Sequence, residues 1–131
     1  MLDTNVVSAL MRKPSSALVA RADALAGKLA ISAIVAAELR FGAAKRGNPT
    51  VLLGQVNTVI QKFKVLDWTA QCIEQYAMLR TALELQGKPI GALDTLIAAH
   101  ALSLNAIFVT HNTREFARIP ELRVENWLDP K

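Results

Sequence analysis

Cysteine is almost missing from this chain. Cys72 is the only one in 131 residues, so no intrachain disulfide can form, and no Cys/His spacing resembles a zinc site. A reducing cytosol is the simplest compartment for such a sequence. Long hydrophobic runs are missing too. No apolar stretch reaches the roughly 18–20 residues that a membrane helix needs. The richest one, Ile90 to Leu104, is interrupted by Asp94 and His100 and reads as a buried helix. The N-terminus lacks the basic-then-apolar pattern of a secretory signal. There is no internal repeat, low-complexity tract or long linker. The length fits one domain over residues 1–131, with one core.

Hydrophobic residues, by contrast, fill 52% of the positions, and the mean hydropathy is +0.26. Both are high for so short a chain without a membrane span. Either an alanine-rich helical core packs tightly, or a partner or second copy of the chain covers part of the surface. The formal net charge is +4, unevenly spread. Residues 1–64 hold nine basic and three acidic residues, whereas residues 65–131 hold six and eight. A cation neutralising Asp3, Glu38 and Asp94 would make the balance still more positive, which suits a polyanionic partner.

Short loop signals at Arg12–Ser16, Arg46–Pro49 and Gly87–Pro89 punctuate a mainly helical chain. The stub Met1-Leu2-Asp3 precedes a helix start at Thr4-Asn5, and Ser15 or Ser16 caps a second helix to about Ala26. Further helices are predicted from Ser32 to about Lys45, Pro49 to Lys62, Thr69 to about Gln86, and Ala92 to Leu104. Strands are predicted at Leu29–Ile31, Val65–Leu66, Ala106–Thr110 and Leu122–Glu125. This alternation implies an α/β chain with a parallel sheet wrapped by helices. Ligands in such folds bind along the edge where the strand C-termini emerge.

Three acids are predicted at or near that edge. Asp3 follows the first stub. It is open to a capping role, although Asp3, Thr4 and Asn5 supply more capping residues than one helix needs. Glu38 lies with Ile34 and Phe41 along one helical stripe. A carboxylate on an apolar face needs an Arg or a metal to meet it, and Arg40 points to a different side of the helix. Asp94 enters the first turn of an otherwise nearly uncharged helix. The helix N-terminus alone favours it there by about 0.3–1 kcal/mol, and a ligand role is the alternative. Three carboxylates form an all-oxygen donor set suited to Mg²⁺ or Mn²⁺. Such a cation lowers the pKa of a coordinated water for attack on a phosphodiester. The expectation is that the three converge on one coordination sphere, directly or through water.

Four segments occur in order: Met1-Leu2-Asp3-Thr4-Asn5, Ala37-Glu38-Leu39-Arg40-Phe41-Gly42, Pro89-Ile90-Gly91-Ala92-Leu93-Asp94, and Val109-Thr110-His111-Asn112-Thr113-Arg114-Glu115-Phe116. Together they resemble the PIN-domain ribonucleases and, among them, the VapC toxins of bacterial toxin–antitoxin pairs, over essentially the whole chain. The resemblance implies a three-layer α/β/α sandwich with a short parallel sheet. It implies Mg²⁺- or Mn²⁺-dependent endonuclease cleavage of structured RNA, typically tRNA or rRNA. It also implies a small cognate antitoxin and frequent homodimers. By motif, Asp3, Glu38 and Asp94 match the acidic metal-binding positions and Thr4 and Asn5 match residues supporting the first. Thr110 and Asn112 match the polar motif after the fourth strand.

The sequence departs from the family pattern twice. Where many members place a fourth acid, this chain has Asn112, with Glu115 nearby but unassigned. Only Met1 and Leu2 precede Asp3, so the first strand should be weak, or the start of the gene slightly misplaced. With three carboxylates, one well-held cation is expected. Asn112 and Thr110 then orient water or a scissile phosphate. His111 is either a proton donor or an exposed loop residue. Arg40, Lys45, Arg46, Lys88, Arg114 and Arg118 are candidates for phosphate contacts, or ordinary solvated surface. A haloacid-dehalogenase-type phosphatase would need an acid where Asn5 stands. A non-catalytic RNA- or protein-binding module with the same fold is the other class, and the intact acidic trio favours the enzyme.

Overall fold

The computed structural model describes residues 1–12 and 14–128, so Lys13, within the predicted 12–16 loop, lies outside the described residues. The elements are α1 (Thr4–Met11), α2 (Ser16–Ala24), β1 (Ala30–Ser32), α3 (Ala33–Lys45), α4 (Thr50–Lys62), β2 (Lys64–Leu66), α5 (Gln71–Leu85), α6 (Ala92–Ser103), β3 (Phe108–Val109), α7 (Thr113–Phe116) and β4 (Val124–Glu125). Helix starts follow the capping logic. Ser15 Oγ accepts from Leu18 N and Ser32 Oγ from Ile34 N, both at 3.1 Å. Helices α3 and α5 close at Gly47 and Gly87, whose φ values of 80° and 69° lie in the left-handed region that glycine adopts without strain.

Two parallel pairs make up the strands. Ile31 of β1 stands opposite Val65 of β2, and Phe108 of β3 opposite Val124 of β4. The stub Met1–Asp3 lies between the pairs. Leu2 N donates to Ala30 O at 2.9 Å, while Asp3 N donates to Val109 O and Val109 N to Met1 O, each at 2.8 Å. Leu2 makes a single parallel bridge with Val109. The first strand is thus as weak as two preceding residues predict, yet it occupies the middle of the layer. The result is a small parallel layer within a mostly helical chain, in line with the expected α/β/α class. Observed β3 is shorter than the predicted 106–110 run. Ile107 is partly exposed at its start, and Thr110 beyond its end turns to other work.

Leu2, Ile31 and Phe108 are fully buried among Val6, Val35 and Ile97. Each large apolar side chain buried this way contributes about 1.5–3 kcal/mol. Phe108 meets Phe116 of α7 edge-on, with ring centroids 4.8 Å apart. That contact docks a four-residue helix which the sequence pattern did not announce. Both readings of the apolar excess have support. Ala98, Ala99 and Ala101 are wholly buried in α6, while Phe41, Val51 and Leu85 remain exposed. One expectation is corrected. The buried stripe of α3 is Val35, Leu39 and Ala43, and Phe41 is 66% exposed. Glu38 therefore lies at the margin of the buried face, half-buried, and the argument from an apolar stripe overstated its isolation. No helix among the described residues is long and apolar enough to cross a membrane.

Candidate active site

Asp3 and Thr110 leave the strand layer side by side. Asp3 is buried; its Oδ1 accepts from Thr4 N at 2.8 Å and its Oδ2 from Thr110 Oγ1 at 2.7 Å. The capping role foreseen for Asp3 is therefore realised together with a second, long-range bond. Thr110 is fully buried, and its Oγ1 also accepts from Asn112 N at 3.0 Å and from Asn5 Nδ2 at 3.5 Å. Asn5 Oδ1 in turn accepts from His111 N at 3.2 Å. Thr4 Oγ1 donates to Glu38 Oε1 at 2.7 Å, tying α1 to α3. Thr4, Asn5 and Thr110 thus brace the acids by hydrogen bonds that run between the chain's two ends.

Asp94 sits in the first turn of α6, as predicted. A Cβ on Gly91 would stand 3.2 Å from Asp94 Oδ2, so glycine leaves room for that carboxylate. Beside it stands the residue that sequence reasoning left unassigned. Glu115 Oε2 accepts from Asn112 Nδ2 at 2.6 Å, and Glu115 Oε1 accepts from Gly91 N at 3.3 Å. Asn112 therefore spends its amide on Glu115, and Glu115 joins the acidic cluster. Its place three residues after Asn112, one turn along a short helix, was the available signal.

The four acids raise the cost of one another's charge. Burial pushes Asp3 up from the ordinary carboxylate range, helped by the charges of Glu38 and Glu115 and opposed by the bonds from Thr110 and Thr4. Asp94 is pushed up to about 7 by burial, by its hydrogen bond with Glu115, and by the charges of Glu115, Asp3 and Glu38. Burial works upward on Glu115 as well. The Asn112 amide, Gly91 N, the Asp94 hydrogen bond and the Arg118 guanidinium outweigh it and hold Glu115 low. The opposite shifts mean that Asp94 holds its proton to higher pH than Glu115 does. Among the described residues no three acidic, His or Cys side chains are grouped so that they could hold a metal ion as they stand, so the expected single coordination sphere is not formed in this arrangement. Nor does any Lys or Arg form a salt bridge with Asp3, Glu38 or Asp94 among them. All-oxygen donors that oppose one another's ionisation fit a hard divalent cation, because a cation removes the repulsion that now lifts Asp3 and Asp94.

That repulsion gives a pH signature. Asp94 binds its proton up to about pH 7 in the folded chain but only to about pH 3.9 when unfolded. Apo stability from this group is therefore present at low pH and is lost as pH rises through about 7. Burial lowers His100, which acts in the opposite direction at acid pH, but equally in a variant. Thermal melts in EDTA should show Asp94→Asn melting above the parent by a margin that grows from pH 5 to 7.5 to about a few degrees. Added Mg²⁺ should narrow the margin. A margin independent of pH would refute the raised pKa of Asp94.

The six basic candidates are all exposed. Arg118 Nη1 donates to Pro89 O at 3.0 Å and its charge reaches Glu115. Arg46 lines a groove that begins at Glu38. Arg40, Lys45, Lys88 and Arg114 form no ion pair with the acids among the described residues. Away from the acids, Leu10, Val19, Val51 and Phe63 line an apolar cleft of about 540 Å³ between α1, α2 and α4.

The model of the PIN domain family matches residues 1–122. The chain is 39% identical over 129 residues to the ribonuclease VapC2 of Rickettsia felis, covering 97% of this chain and 96% of that protein. It is 36% identical over 127 residues to the tRNA(fMet)-specific endonuclease VapC of Shigella flexneri, covering 97% and 96%. Its fold is similar to a chain in the crystal structure of VapBC2 from Rickettsia felis bound to a DNA fragment from their promoter, with a TM-score of 0.91, 38% identity and 97% of both chains covered.

Proposed function

Since the chain belongs to the PIN-domain family, as an endoribonuclease of the VapC toxin type, we propose that it cuts structured RNA, tRNA before rRNA, with Asp3, Glu38 and Asp94 holding Mg²⁺ or Mn²⁺ at the cut. The observation that carries this reading is the crowding of carboxylates at one strand edge, with Asp3 and Asp94 both raised. The preference for tRNA rests on the printed specificity of a relative over nearly its whole length. The reading treats residues 1–131 as one nuclease domain.

The cation supplies charge stabilisation at the phosphoryl group and a more acidic water. The chain's own residues hold the donors. Thr110 and Thr4 N fix the two oxygens of Asp3, Thr4 Oγ1 fixes Glu38, and Asn112 with Gly91 N fixes Glu115. Asp3, Glu38 and Asp94, ionised when the cation is bound, bring three negative charges, which supports one tightly held cation. Asn112 acts by holding Glu115 beside Asp94.

The partner we propose is a small antitoxin protein, supported by the similar Rickettsia felis chain being part of a VapBC2 structure. Its apolar contacts suit the cleft lined by Leu10, Val19, Val51 and Phe63. A homodimer is supported by Ile73, Met78 and Leu85, all exposed along α5. A cytoplasmic location agrees with an RNA substrate. The test of the central reading is incubation of the purified chain with tRNA and with ribosomal RNA in Mg²⁺, Mn²⁺ or EDTA. Discrete tRNA fragments in either cation and none in EDTA are expected. Equal cleavage in EDTA would sink the metal assignment, and equal cutting of ribosomal RNA the preference for tRNA.

A further inference from the structure

We propose that the groove between α1 and α3 is a phosphate subsite that takes the RNA backbone beside the cut, with Arg12 and Arg46 as its ligands. The proposal rests on the ribonuclease reading of the adjacent acids. Thr4, Ser8 and Arg12 recur at steps of four along α1 and its C-cap, and Glu38, Gly42 and Arg46 do so along α3 and its C-cap. Steps of four keep side chains on one helix face. All six line one groove of about 170 Å³, whose other lining residues, from α1, α3 and α4, are apolar. At one end Thr4 is bonded to Glu38; at the other stand two exposed guanidiniums with no salt bridge among the described residues. Eight residues of helix place that basic end about 12 Å from the acid end. A strand of RNA laid along the groove therefore meets cations as it leaves the acidic cluster. Guanidinium forks match phosphate oxygens in pairs.

Gly42 gives an independent reason. It lies inside α3, where glycine weakens a helix relative to alanine. A Cβ there would meet nothing within 4 Å, and its φ is not among the positive ones. Neither packing nor backbone geometry asks for glycine. What it does is leave the middle of the groove open. The ordinary alternative for Arg12 and Arg46 is that they merely complement helix C-termini, and that role needs no open groove between them.

Fluorescence anisotropy in EDTA, with a labelled mixed-sequence single-stranded RNA and with labelled tRNA, reads binding without cleavage. Arg12→Ala/Arg46→Ala should bind both at least about tenfold more weakly than the parent. The slope of its log–log salt dependence should be shallower by about 1.4, two contacts at about 0.7 each. Gly42→Glu puts a carboxylate into the groove on a better helix former. It should weaken binding similarly while melting no lower than the parent. Lys28→Ala/Arg123→Ala removes the same charge from a cavity beside Met1 and Ile107, and should bind within about twofold of the parent, since it leaves the groove's own contacts intact. Parent-like binding by the arginine pair or by Gly42→Glu overturns the proposal, as does a parent that binds neither RNA. A parent whose binding depends on the groove but which never cleaves in Mg²⁺ or Mn²⁺ defeats the ribonuclease reading and leaves the subsite standing.

Discussion

Asp94→Asn is expected to lower RNA cleavage by about three orders of magnitude while leaving the fold intact. Asparagine has the shape of aspartate and can keep a hydrogen bond to Glu115, but it supplies no charge. A catalytic cation contributes several kcal/mol of stabilisation to developing phosphoryl charge, and about 1.4 kcal/mol is a factor of ten in rate. Losing one of its donors therefore costs about 10³-fold. The variant also loses the repulsion that lifts Asp94 to about 7, so its apo form melts no lower than the parent. Loss of activity with gain of stability separates a ligand from a structural residue. Asp3→Asn and Glu38→Gln should behave alike, and any two together should be little worse than one, because donors to a single cation act as a unit. An Asp94→Asn protein that keeps more than about a tenth of parent activity would show that Asp94 does not hold the cation.

Thr110→Val should reduce cleavage by about 10- to 100-fold, less than loss of an acid but far from it in sequence terms. Thr110 is fully buried, and its hydroxyl is a donor to Asp3 Oδ2 at 2.7 Å. A hydrogen bond to a charged group is worth about 1.5–3 kcal/mol. Valine keeps the volume and loses the bond, and it also leaves Asn112 N without its acceptor. The Thr110 bond is what draws the pKa of Asp3 down against burial. Without it Asp3 ionises at higher pH, and the rising limb of the cleavage–pH profile moves to the alkaline side. Thr110→Ser restores the hydroxyl and should return both rate and profile close to the parent. A folded valine variant with an unmoved profile would reduce Thr110 to a packing residue.

Much of this arrangement was legible from residue order. Ser15 and Ser32 announced their helices, glycines 47 and 87 their ends, and the placing of Asp3 and Asp94 next to helix starts put them at the strand edge. Two things were not. The stripe on α3 was read one residue away from the buried one, because Ile34 and Phe41 are as apolar as Val35 and Leu39 and periodicity alone cannot rank two neighbouring apolar faces. Glu115 was passed over because its helix α7 is only four residues long and is held by Phe116 against Phe108, a tertiary contact with no local signature. The bonds that pair Thr4 with Glu38 and Thr110 with Asp3 span 34 and 107 residues, and nothing short of the fold reveals such partners.

The position of the stub in the strand layer also sets when the acids can meet. Asp3 is made 107 residues before Thr110 and takes its place only once Val109 and Thr110 are present to receive it. At about 5–20 residues per second, a ribosome needs several seconds to travel between those points. Over that interval the growing chain gains first Glu38 and then Asp94, but it has no Thr110 to hold Asp3 and no Glu115. The acidic cluster is thus completed late in synthesis, by the segment that carries Thr110 and Glu115 rather than by the one that carries Asp3.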